Sequence, residues 1–482
     1  MTRNYSSALF TDFYELTMAQ GFWQQGMNKP AVFDMFFRRQ PFDGGFSIFA
    51  GLETLLEALE EFTFSESDIE YLSKHGIFQK EFLDYLATFK FSGDLYALDE
   101  GSVIFPNEPI IRIHASLVEA QIIEGLVLNH INFQSLIATK TARVWLASGK
   151  GHIMEFGLRR AQGPDGAMSA SRAAFIGGAS ATSNTLAGKL YDIPVQGTMA
   201  HSWIMSFASE LEAFEAYGDL YPQKSIFLID TYDTLNSGVK NAALAGKKLV
   251  KQGYDFGVRL DSGDIQYLST EVRKYLDKEG FPNAKISVSN ELNEKIIETL
   301  VQQKAPIDSW GVGTHMVTGG DEASFTGVYK LAARYNGEGN KMVATMKFSD
   351  NPEKTTNPGV KNLWRLYDSE GMAKADILAL DTEIIQPGEM RRFFHPSIDY
   401  RQFAFSPAKV EMLLKKRLES GKRTIPAPSA KEAIFDARER VKTQLETIDS
   451  TYKRILNPHI YKVSLTEELK DLKLSFIEAR LK

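Results

Sequence analysis

Two adjacent arginines stand in a glycine-rich turn, Glu155-Phe156-Gly157-Leu158-Arg159-Arg160-Ala161-Gln162-Gly163-Pro164-Asp165-Gly166, and that pattern suits phosphate. A guanidinium is a planar fork of donors able to meet two phosphate oxygens at once. His201, followed by Ser202 just past the apolar run 193–195, is aimed toward a mouth rather than a wall. Asp230 and Asp233 follow the run 225–229 and could orient and tune that imidazole. Arg259-Leu260-Asp261-Ser262-Gly263-Asp264 gathers a cation and two carboxylates at one strand end. Such a set could hold ribose hydroxyls and a magnesium ion bridging pyrophosphate oxygens, with Asp261 and Asp264 as its ligands. Gly311, Gly313, Gly319 and Gly320 flank a further run, where backbone amides could cradle a phosphate. Each feature alone has a plainer reading: surface ion pairs, a packed histidine, structural carboxylates, ordinary turn glycines. Their joint recurrence carries the weight.

The elements that would position these residues follow from periodicity. Leu52, Leu55, Leu56 and Leu59 recur at helical spacing, as do Ile122, Ile123, Leu126 and Leu128, while 102–105 and 110–114 are short extended runs. This predicts an α+β N-terminal domain over residues 1–136. From 137 to 346 the chain alternates short apolar runs with polar ends and helical segments, the grammar of an α/β barrel. In such barrels the chemistry sits at the C-terminal ends of the strands, where the loops converge. Residues 347–482 form a third part, turn-rich around Pro352, Pro358 and Gly359 and then largely helical from Ala430. Lys415-Lys416-Arg417 reads as the solvated face of a helix.

Composition bounds the function class. A chain of 482 residues with 43% apolar and 24% charged residues is an ordinary globular protein of about two or three domains. With no cysteine there can be no disulfide, cysteine-ligated metal or cysteine nucleophile. The net charge of −6 argues against nucleic acid, so an anionic substrate must be held by locally placed cations. Neither a secretory leader nor an apolar membrane-spanning stretch is present, and a cytoplasmic location is expected. No P-loop, H-E-x-x-H or G-x-S-x-G match occurs, so any ATP would be held otherwise.

Taken together these stretches resemble the nicotinate phosphoribosyltransferases over nearly the whole chain. Thr11 to Ala19 looks like the N-terminal signature of that family, while Glu155 to Gly166, Gly197 to Ser202, Arg259 to Asp264 and Gly311 to His315 look like its barrel motifs in order. Lys354 to Lys361 and Asn457-Pro458-His459 are similar to its C-terminal region. The resemblance implies an irregular α/β barrel with an α+β N-terminal domain, a C-terminal portion packing on that domain, and a homodimer with shared active sites. It implies that nicotinate is joined to 5-phosphoribosyl 1-pyrophosphate with ATP as co-substrate and magnesium as cofactor. His201 then matches the histidine that ATP phosphorylates, and Asp230 the acid holding its ring. Arg159 matches a phosphate ligand, and Arg259 with Asp261 the pair near pyridine and ribose. Phe156 and Tyr14, the latter reaching in from a second subunit, would sandwich the pyridine. Gly313 would offer its amide to phosphate, with Lys140, Ser183 and Ser202 as further substrate contacts. The nicotinamide-using branch carries an aspartate where this chain reads Thr182-Ser183-Asn184-Thr185, and the absence of that charge favours the acid.

Overall fold

The computed structural model describes residues 7–336, 342–349, 354–398 and 400–481. No helix among them is long and apolar enough to cross a membrane. Two compact units are present: Met1–Leu136 with Ser324–Lys482, and Ile137–Ala323. The sequence puts the end of the barrel after residue 346, whereas the second unit closes at Ala323. The reason is long-range pairing, since Gly327–Tyr335 is a strand that runs antiparallel to Pro30–Phe37, from Ala31 opposite Arg334 to Phe37 opposite Gly327.

In the first unit, helix Leu52–Glu61 buries the stripe Leu52, Leu55, Leu56 and Leu59 that its periodicity announces. Burial of each such leucine stabilises by roughly 1.5 to 3 kcal/mol. The stripe joins one large core with Phe33, Phe37, Ile111 and Ile113 of the sheet. The stretch after 347 is not merely turn-rich: Lys361–Tyr367, Ala373–Leu380, Arg391–Phe394, Gln402–Phe405, Lys409–Met412 and Val463–Leu465 build a six-stranded sheet. The basic run is likewise a strand, Lys415–Glu419, paired with Asp94–Ala97, and not a helix face. Acidic neighbours explain it: Lys415 and Arg417 reach Asp99 at 2.5 and 2.6 Å, and Lys416 reaches Asp94 at 3.1 Å. Charge complementarity across strands decides such a run, and local periodicity carries no trace of it.

The second unit is a parallel sheet of β1 (His152–Glu155), β2 (Ala181–Thr182), β3 (Ile226–Leu228), β4 (Gly257–Leu260), β5 (Lys285–Asn290) and β6 (Ser309–Val312). Its strand order is β2-β1-β6-β5-β4-β3, all parallel. The run 193–195 adds no strand and meets Thr182 only through an isolated bridge at Val195. The barrel is therefore irregular, with β2 and β3 as the outermost strands of the sheet. Amphipathic helices follow the strands; Ile265–Lys278, for instance, buries Ser269, Val272 and Leu276. On the inward face, small residues stand where a closed barrel would carry bulky branched ones. Gly257, Ser287 and Ser309 consequently line a cavity of about 700 Å³ rather than a packed core.

Candidate active site

The tip of β1 is organised by Glu155, which is fully buried. Its carboxylate accepts hydrogen bonds from the Gly157 amide at 2.5 Å, the Ser171 hydroxyl at 2.9 Å and the Thr182 hydroxyl at 2.5 Å. Three donors hold that charge within the wall and fix the turn that follows. Phe156 leaves the strand there, its amide bonded to the Val312 carbonyl at 2.8 Å. Its ring lies so close to β6 that a Cβ at Gly311 would fall 2.7 Å from the ring edge and push the ring away. Arg159 and Arg160 follow on one helical turn, Leu158–Arg160, exposed and forming no ion pair among the described residues. The surface-ion-pair reading of these arginines is thereby removed.

Arg159, Arg160 and Phe156 share one cleft of about 180 Å³ with Arg259, Asp261, Ser289, Asn290, Gly311 and Gly313. The tips of β1, β4, β5 and β6 thus meet around one space. Arg259 donates to the Thr198 hydroxyl, and its Nε is buried with no partner among the described residues. Burial pushes its guanidinium below its ordinary value, against the opposing pull of Asp261 and Asp230. Asp261 accepts from the Ser289 hydroxyl and turns its other oxygen toward His201 Nε2, 3.7 Å away. Thr198 and Ser289 escape sequence reasoning as partners, although Ser289 sits at a strand tip.

His201 opens the short helix His201–Met205 with its side chain 40% exposed. Its Nδ1 lies 3.1 Å from the Thr231 hydroxyl. Asp230, expected to hold this ring, forms no hydrogen bond to it among the described residues. Asp230 Oδ2 accepts from the Asp261 amide at 3.0 Å and the Ser262 hydroxyl at 2.5 Å, so this carboxylate shapes the loop after β4. The next residue, Thr231, takes the imidazole, because the strand end turns Asp230 sideways toward its β4 neighbour. Asp230 Oδ1 is buried with no hydrogen-bond partner among the described residues.

Of the other sequence candidates in this unit, Gly313 lines the cleft and Lys140, Ser183, Ser202 and Asp264 do not. Lys140 is buried and paired with Glu294 at 2.7 Å, and Arg143 binds the same carboxylate at 3.1 Å. Its ammonium is spent on the fold, and burial lowers its pKa. Asp264 is the N-cap of Ile265–Lys278, its Oδ1 accepting from the Tyr267 amide at 3.0 Å. Among the described residues no group of three or more His, Cys, Asp or Glu is arranged to hold a metal unaided. Ser183 is tied by its amide to the Glu155 carbonyl at 2.9 Å, and Ser202 is exposed beside His201. Gly313 precedes Thr314–Thr318 at the cleft rim. Tyr14 belongs to the other unit, 49% exposed on helix Phe13–Gln24; burial of its hydroxyl end and the nearby Glu124 push its pKa to about 12.

Comparison with known proteins gives consistent matches. Family models described as the N-terminal domain, the family and the C-terminal domain of nicotinate phosphoribosyltransferase (NAPRTase) match residues 9–132, 151–370 and 360–473. A Bacillus subtilis protein named nicotinate phosphoribosyltransferase is 42% identical over 96% of this chain and 94% of its own. A Caenorhabditis elegans protein of the same name is 38% identical over 96% and 92%. The crystal structure of human nicotinic acid phosphoribosyltransferase superposes with a TM-score of 0.83 at 30% identity, covering 96% of this chain and 99% of that one.

Proposed function

The chain belongs to the nicotinate phosphoribosyltransferase family, and from that membership we propose that it joins nicotinate to 5-phosphoribosyl 1-pyrophosphate. The products are nicotinate mononucleotide and pyrophosphate, an entry to NAD salvage, with ATP hydrolysis coupled to turnover. The observation that supports this most is the single polar cleft in which Phe156, Arg159, Arg160, Arg259 and Asp261 converge. Departure of pyrophosphate leaves an oxocarbenium-like sugar, so the catalyst must neutralise the leaving group and hold the pyridine nitrogen near the anomeric carbon. Arg159 and Arg160, which form no ion pair among the described residues, are available for the phosphates. Phe156, seated against Gly311, offers a flat wall for the pyridine. Arg259, desolvated and held by Thr198, meets the pyridine carboxylate.

Asp261 fits a magnesium ion that arrives on the pyrophosphate, since magnesium is commonly held by one or two carboxylates plus phosphate oxygens. Bound there, the ion would neutralise the leaving group. Asp264 is not needed for this and keeps its carboxylate on the helix terminus. His201 takes the phosphoryl group of ATP through Nε2, forming an N–P bond as the bond to ADP breaks, while Thr231 steadies Nδ1. The enzyme acts in the cytoplasm as a homodimer with shared sites, Tyr14 of the partner subunit closing the sandwich over the pyridine.

Incubation with γ-labelled ATP, followed by mapping, tests the phosphoryl step. An acid-labile, base-stable label on His201 that disappears in His201→Ala is expected. Normal ATP hydrolysis by that variant with nicotinate and donor present would refute the role of His201. Competition between nicotinate and nicotinamide tests the base: preference for the amide would refute the neutral-wall argument at Thr182-Ser183-Asn184-Thr185.

A further inference from the structure

Asn290, the last residue of β5, has φ +131°, a backbone conformation that L side chains rarely adopt. Its placement explains what the strained angle achieves. Ser287 and Ser289 face inward along β5, the first into the lumen and the second into the cleft. By strand alternation residue 290 would point the other way, with the fully buried Val288, toward the helix layer. The positive φ breaks that alternation, and Asn290 lines the same cleft as Ser289. It also makes the strand end turn at once, the Leu292 amide donating to the Asn290 carbonyl at 2.7 Å.

The side chain is exposed, and no hydrogen bond from its amide to the fold is found among the described residues. Glycine would hold this angle without penalty. A strained residue whose side chain serves no structural contact, set at the centre of a site, points to a ligand.

We infer that Asn290 binds the hydroxyls of the ribose in the donor, an assignment that rests on the phosphoribosyl reading of this cleft. The chemistry discriminates among the parts of that substrate. A neutral amide offers one acceptor and two donors but no charge, and so suits hydroxyl groups better than phosphates. The phosphates have Arg159 and Arg160 on the β1 side of the cleft. Beside Asn290, Asp261 supplies an acceptor that is already aligned by Ser289. Carboxylate and amide together match a vicinal diol, one accepting a proton and the other both giving and accepting.

The test uses the full chain and two variants, Asn290→Gly and Asn290→Ala, with donor varied at saturating nicotinate, nicotinate varied at saturating donor, and thermal melting in parallel. Asn290→Gly is expected to melt no lower than the wild type, while its kcat/KM for the donor falls about tenfold, the loss of one or two neutral hydrogen bonds. The KM for nicotinate should stay within about twofold, because no pyridine contact is touched. Asn290→Ala, which keeps a Cβ but not the amide, should lose donor kcat/KM to the same extent. Wild-type donor kcinetics in either variant would overturn the assignment. Absence of nicotinate mononucleotide from the wild type itself would overturn the reading beneath it, and the assignment with it.

Discussion

Replacing Gly311 by alanine puts the proposed pyridine wall to a direct test. A Cβ built there lies 2.7 and 2.8 Å from the Cδ2 and Cε2 atoms of Phe156, and 3.3 Å from the Ser289 Cβ. Carbon atoms settle at about 3.5 to 4.0 Å, so the ring must retreat by roughly 1 Å. Ser289 is buried and β6 is hydrogen-bonded on both sides, whereas Phe156 is half-buried at a strand end. The ring is therefore what moves. An off-rotamer shift of that size costs about 0.5 to 1.5 kcal/mol, which sets the expected loss of stability. Misaligned stacking on the pyridine forfeits up to a similar amount, about 0.5 to 1.5 kcal/mol, or roughly a two- to twelvefold rise in the KM for nicotinate. Steady-state kinetics with nicotinate varied, for Gly311→Ala, Phe156→Leu and the double variant, reads this out. If the added methyl acts through the ring, the double variant matches Phe156→Leu alone. Additive effects, or an unchanged KM in Gly311→Ala, would refute the reasoning.

Three further predictions concern charge. Arg159→Ala should weaken donor binding in calorimetry by roughly 1.5 to 3 kcal/mol, the range for charge-assisted hydrogen bonds, and unchanged affinity would count against a phosphate role. Asp230→Asn weakens the acceptor for the Asp261 amide and Ser262 hydroxyl and should lower donor kcat/KM about tenfold with the fold intact; full activity would show that the loop after β4 holds itself. Glu108 is fully buried, and burial first, then the neighbouring Asp376, raises its carboxyl well above the usual range. A folded pKa above the unfolded one means that its contribution is complete below about pH 4 and is lost as pH rises through the folded pKa. Glu108→Gln should equal the wild type in acid and exceed it in stability toward neutral and alkaline pH; denaturant titrations showing parallel pH profiles would refute the shift.

Much of the second unit is legible before folding. Five of its six strands are short apolar runs that lead into polar or glycine-containing turns, a local preference, while Ala181–Thr182 is too short to show and the run 193–195 adds no strand. Helix Leu52–Glu61 is equally legible, because four leucines on one face need a core wherever it lies. The strands of the third part are not, since Arg391–Phe394, Gln402–Phe405 and Lys409–Met412 are four residues each, and the first and last carry charges. Runs that short show no period, and only their neighbours make them a sheet.

The same division holds within the cleft. Residue order by itself determined that Phe156, Arg159, Arg259, Asp261 and Gly313 stand at or just past strand tips, where a parallel sheet gathers its loops. Partnership was decided by tertiary structure alone: Arg259 with Thr198 across 61 residues, His201 with Thr231 across 30, Asp261 with Ser289 across 28. It also sent Lys140 to Glu294, Asp264 to a helix terminus and Asp230 to the β4 loop. The physical reason is register: which side chains meet across parallel strands depends on every neighbouring strand at once, and no local stretch of chain contains that information.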